Sequence, residues 1–173
     1  MWHSKFIYFV LLLIMGTGVT MAQAQKGLPK GDERFASSNQ QFEQEVLALV
    51  NQIRKRRGLR QLRLHPELTN TARYHAQDMS ADNYFEHDSY DRLKNGRKKR
   101  IGSFSDRLKS FSSTQWYGWA ENIAMGHSSP QAVMKSWMKS KGHRVNLLNA
   151  SYEYIGIAYI NGYWVQNFGD ASP

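Results

Sequence analysis

Glu153-Tyr154-Ile155-Gly156-Ile157-Ala158-Tyr159-Ile160, then Asn161-Gly162, then Tyr163-Trp164-Val165-Gln166-Asn167-Phe168, is the stretch whose reading decides the fold. Both runs are rich in β-branched and aromatic residues, and Asn-Gly supplies the two positive-φ positions of a tight hairpin turn. Working upstream, the pattern changes to helices. Val133, Met134, Trp137 and Met138 form an apolar stripe behind the capping sequence Ser128-Ser129-Pro130. A brief helical turn through Leu148 should follow Gly142-His143. Residues 116–124 are short and aromatic-rich, consistent with a strand. Further upstream, Phe42, Val46, Leu49, Val50 and Ile53 recur at helical spacing between a cap at Asn39 and a stop at Gly58. Pro66 opens a second helix with the stripe Leu68, Ala72, Ala76 and Met79. His75 lies within that stripe and reads as a packed or rim histidine, because no acid or second histidine stands at i±4. Residues 90–103 are polar and basic and read as an exposed loop, with a short helix after them over residues 106–111. Helices, a basic loop, a helix and a final hairpin make an α+β domain, its helices packed on a sheet.

The N-terminus has a different logic. Lys5 precedes an unbroken apolar run, residues 6–15, and small and polar residues lead to Ala22-Gln23-Ala24. A cation, a short apolar core and an A-x-A site describe a secretory signal over residues 1–24. The run is shorter than the roughly 20 apolar residues a membrane span needs. Gln25 would open the mature chain, residues 25–39 with their glycines and proline would form a flexible leader, and residues 40–170 the domain. The mature chain would then carry no transmembrane segment and be extracellular or periplasmic. The chain has no cysteine, which excludes disulfides, thiolate metal sites, a cysteine nucleophile and lipidation at cysteine. A formal charge of +9 attracts acidic partners such as anionic envelope polymers or lipid headgroups.

Three ionisable residues stand where local structure changes: His87 after the second helix, Glu121 in the 116–124 segment, and His143 behind Gly142. Residues at such junctions project into clefts. Two neutral imidazoles can ligate a divalent metal, and a carboxylate can orient an imidazole or act as a general base. Spacing along the chain does not bring the three together, and scattered polar residues remain the plainer reading of spacing alone.

The strings Asn83-Tyr84-Phe85-Glu86-His87, Ala120-Glu121-Asn122-Ile123-Ala124 and Ser136-Trp137-Met138-Lys139-Ser140-Lys141-Gly142-His143-Arg144-Val145-Asn146-Leu147-Leu148 resemble, in order, the signature segments of the CAP superfamily. The closing strands resemble that family's last two. The resemblance spans residues 42–169 and implies an α–β–α sandwich with a wide central cleft. It implies that His87 and His143 can hold a divalent cation, often zinc, with Glu121 beside them. Where the family places a second glutamate this chain has Ser140, as the bacterial branch does, so a cation would be weakly bound. The functional expectation is a secreted binding module whose His87–Glu121–His143 cleft, with Ser140, takes a lipid, peptide or cell-envelope ligand. The alternative is a metal-assisted, peptidase-like hydrolase in which Glu121 activates a water held by the histidines. Nucleic-acid binding through the basic clusters at residues 54–63 and 97–100 ranks last, since no known module accompanies them.

Overall fold

The computed structural model describes residues 26–171. The signal sequence, its Ala22-Gln23-Ala24 site and Gln25 lie outside the described residues. The elements run α1 (Gln40–Arg56), β1 (Arg63–Leu64), α2 (Pro66–Asp82), β2 (Ser89–Arg92), β3 (Lys98–Gly102), α3 (Phe104–Phe111), β4 (Gly118–Met125), α4 (Pro130–Lys139), α5 (Lys141–Leu148), β5 (Tyr154–Ile160) and β6 (Tyr163–Asp170). Among the described residues no helix is long and apolar enough to cross a membrane.

The hairpin organises everything else. Ile160 pairs with Tyr163 across a two-residue turn in which Asn161 and Gly162 take φ of 49° and 87°. Both values lie in the left-handed region that a type I′ turn requires. The sheet has the order β1-β5-β6-β4, with β1 parallel to β5 and the other pairs antiparallel. Alternation along the strands then sorts side chains into two cores. Ile155, Ile157, Trp164 and Phe168 face α1, α4 and α5, where they meet Val46, Val133 and Trp137. Ala158, Ile160, Val165 and Ile123 face α2, where they meet Ala72, Ala76 and Met79. The result is the α–β–α sandwich.

Two local readings change. The segment read as an exposed basic loop forms a two-stranded antiparallel ribbon, β2 with β3, its basic side chains turned outward. Period-two alternation is absent there because Lys98, Lys99 and Arg100 are all exposed, so polarity could not reveal the strand. The segment before α1 has no helix or strand, yet it is laid along the domain. The Gly27 amide donates to Asp91, the Tyr74 hydroxyl donates to the Gly27 carbonyl at 2.6 Å, and the Ser38 amide donates to the Tyr159 carbonyl.

Candidate functional site

The site forms at β4, the sheet's edge strand, where the two helical layers meet. Glu121, like Ile123, belongs to the α2 side of β4. Asn122 points to the other side, beside Gln166. α2 ends at Asn83, whose φ of 51° is a left-handed turn that asparagine tolerates. This reversal sends the chain through Glu86 to His87 and onto Glu121. From the opposite layer, α5 is docked onto β4: Asn122 Nδ2 donates to the His143 carbonyl at 3.2 Å, and Asn146 Nδ2 donates to Asn122 Oδ1 at 2.9 Å. Ser140, with its backbone between α4 and α5, joins them. His87, Glu121, Ser140 and His143 therefore line one open cleft of about 560 Å³, with Lys141 and Asn146.

Beneath the cleft lies a buried charge network that sequence reasoning missed. The Arg107 side chain is 0% exposed. Its Nη2 donates to Glu121 Oε2 at 2.8 Å, and its Nη1 donates to the His87 carbonyl at 2.8 Å and to Ser89 Oγ at 3.1 Å. His75, also fully buried, has Nε2 2.9 Å from the Glu86 carbonyl and 3.8 Å from Glu121 Oε1. A ring nitrogen facing a carbonyl must carry the proton, so Nε2–H donates and Nδ1 is the acceptor, left without a partner. Burial, with the Arg107 charge behind it, pushes the His75 imidazole down to about 3, so the ring is neutral.

Glu121 is ionised for a different reason. Burial alone would raise its carboxyl, but the Arg107 guanidinium, with His75 and His87, outweighs this and holds it at about 2. Its Oε1 lies 3.0 Å from His87 Nδ1. Against an ionised oxygen that nitrogen carries the proton, which leaves Nε2 as the ring nitrogen not held by Glu121. Asn167, oriented so that its oxygen accepts from the Ala72 amide, donates to Glu121 Oε2 at 3.2 Å. Both carboxylate oxygens are thus engaged inside the protein. Three buried groups clamp His87: His75 holds the preceding carbonyl, Arg107 its own carbonyl, and Glu121 its ring. His143 is half-buried, and burial together with the nearby His87 lowers its imidazole, favouring the neutral form.

Glu121 therefore holds an imidazole on one oxygen and a guanidinium on the other. The divalent cation that the family resemblance implies would find only part of a shell here. His87 and His143 supply two nitrogens, half of an ordinary four-coordinate zinc shell, while the Glu121 oxygens are committed to Arg107 and His87. Among the described residues no group of three or more histidines, cysteines or acids could hold a metal ion.

The signal for Arg107 lay in the helical spacing. Phe104, Arg107, Leu108 and Phe111 stand at i, i+3, i+4 and i+7, which places an arginine on the buried face of α3. His75 had a recognisable place in the α2 stripe, but its acidic neighbour comes from another element.

The model of the cysteine-rich secretory protein family, CAP, matches residues 47–168. YkwD of Bacillus subtilis is 37% identical over 134 residues, covering 76% of this chain and 48% of that protein. The Bacillus subtilis membrane protein YlbC is 33% identical over 137 residues, 79% of this chain and 37% of that one. The chain thus spans about half or less of the curated relatives it matches. Among solved structures, an extracellular protein containing an SCP domain from Bacillus anthracis superposes with a TM-score of 0.67 at 32% identity, covering 76% of this chain and 41% of that chain. An outer surface protein of Borrelia burgdorferi superposes with a TM-score of 0.63 at 16% identity, covering 80% of this chain and all of that one, a likeness of fold alone.

Proposed function

We propose that this chain, which belongs to the cysteine-rich secretory protein (CAP) family, is an exported binding module whose cleft between His87 and His143 takes a lipid, peptide or cell-envelope ligand. One observation carries the choice of binder over hydrolase. Glu121 holds both oxygens on protein donors and is kept at about 2 by Arg107. A general base works best with a pKa near the working pH, which this carboxylate is far from. What the cleft offers instead is two imidazoles on a braced frame, the hydroxyl of Ser140, and Lys141 and Asn146, groups suited to polar recognition. A divalent cation entering there would meet two protein nitrogens and complete its shell from water or the ligand, so its affinity would be low.

The test uses protein recovered from outside the cytoplasm, beside a His87→Ala/His143→Ala double variant. It measures copurifying small molecules by mass spectrometry, zinc stoichiometry, and hydrolysis of a broad peptide library with and without zinc. The expected result is a copurifying ligand lost in the double variant, substoichiometric zinc, and no turnover. Zinc-dependent turnover that disappears in the double variant would replace this reading with the hydrolase.

A further inference from the structure

Next to the histidine cleft, on the same side of β4, a second recess opens that the cleft chemistry does not use. Trp119 precedes Glu121 by two residues, so the two side chains share a strand face about 7 Å apart. The recess holds about 250 Å³ and is walled by Ser105, Leu108 and Lys109 of α3 on one side and by Trp116 and Trp119 on the other, with Thr114 in its lining. Its rings are held in fixed positions. Trp119 is 41% exposed, yet its Nε1 donates to Ser105 Oγ at 3.1 Å. Trp116 Nε1 donates to Ser112 Oγ at 2.7 Å, and that hydroxyl donates in turn to Glu67. Trp116 also meets His65 and Tyr154 edge to face, at centroid distances of 5.0 and 6.0 Å. Both indole N–H groups are engaged within the protein, so what the two tryptophans offer a ligand is ring surface.

The recess is therefore amphipathic: aromatic surface and Leu108 on one hand, serine and threonine hydroxyls on the other, and the exposed ammonium of Lys109 at its rim. A pyranose has the matching form, with an apolar C–H face and a rim of hydroxyls. The volume falls below the roughly 300 Å³ at which sites for drug-sized ligands begin, so it suits one ring. Lys109 and the chain's formal charge of +9 favour an anionic occupant. We propose that this recess is a subsite for one acidic sugar ring of an anionic glycan, its C–H face against the indoles and its carboxylate toward Lys109. The proposal does not depend on the histidine cleft being a ligand site.

Two sugars that share a ring test it: N-acetylmuramic acid, whose 3-O-lactyl ether carries a carboxylate, and N-acetylglucosamine, which lacks that group. They are titrated into ¹⁵N-labelled protein while the indole N–H signals are followed, with calorimetry for affinity. N-acetylmuramic acid is expected to move the Trp116 and Trp119 signals and to bind at least tenfold tighter than its neutral partner. Trp119→Ala should abolish binding of both sugars. Lys109→Glu, on an exposed helix position that keeps the fold, should abolish the preference for the acid. His87→Ala/His143→Ala should change neither, which separates this subsite from the cleft. Equal binding of the two sugars, binding that survives Trp119→Ala, or tighter binding of the peptide Gly-Tyr-Gly or of decanoate at the same indoles would overturn the proposal.

Discussion

Removing the Arg107 guanidinium would leave the buried Glu121 with only imidazole and amide neighbours. Breaking a buried pair by deleting one partner costs about 3–5 kcal/mol, because the remaining charge keeps its desolvation penalty. Arg107→Met is expected to lose that much in urea unfolding. Arg107→Lys should recover little, since one ammonium cannot reach Glu121, the His87 carbonyl and Ser89 together. A loss under 1 kcal/mol would mean that the network does not brace the cleft. The same network sets the response to acid. His75 is depressed from 6.5 to about 3 and Glu121 from 4.5 to about 2, so each contributes stability that is lost as pH falls toward its folded value. Asp78, which accepts from the Tyr84 hydroxyl, is raised by burial from 3.8 to about 6. Its contribution has the opposite sign: complete below 3.8, and lost as pH rises through 6. His75 and Asp78 oppose each other between about 4 and 6, so stability should be nearly level from about 6 down to 4.5, where Glu121 begins to protonate in the unfolded chain, and fall below that. Asp78→Asn removes the opposing term. In that variant the decline should begin near pH 6.5, as denaturant midpoints across the pH series would show.

At the scale of elements, two glycines of the hairpin separate two kinds of constraint. Gly162 has φ of +87° and open space where a Cβ would stand, so only backbone conformation forbids a side chain. Gly162→Val is expected to cost on the order of 1 kcal/mol. Gly156 has ordinary backbone, but a Cβ there would collide with the Leu68 backbone, where α2 crosses β5. Gly156→Ala must push helix from sheet and should cost about 3 kcal/mol, at the upper end for overpacking. Melting temperatures that rank the two variants in the opposite order would contradict the close α2–β5 approach.

Over the whole molecule, the segment ahead of α1 acts as a strap across the α2 layer. The Gly27 amide sits on Asp91, Lys26 reaches Asp82 and the Arg92 carbonyl, and Phe35 packs edge-on against Tyr74. Deleting residues 26–38 strips these partners from α2 and β2. The truncated chain should melt several degrees lower and expose residues 82–92 to protease, near the backbone that delivers His87. An unchanged melting temperature would show that the strap lies on the domain without supporting it. The strap follows directly on Gln25, the residue at which a mature chain would begin under the signal-sequence reading.

By itself the sequence determined the elements whose information is local. The Asn161-Gly162 turn, the stripes of α1, α2 and α4, and the α+β class follow from backbone preferences and short-range periodicity, which neighbouring residues carry. The ordered strings around His87, Glu121 and His143 also pointed to the family, and with it to the sandwich. Tertiary structure alone decided what Glu121 does. Its role depends on Arg107 from α3, His75 from α2 and Asn167 from β6, and no spacing in the chain announces that three separated elements converge on one carboxylate. The β2–β3 ribbon was hidden for a related reason. Its pairing is made by backbone groups, while its exposed basic side chains carry no alternation to read.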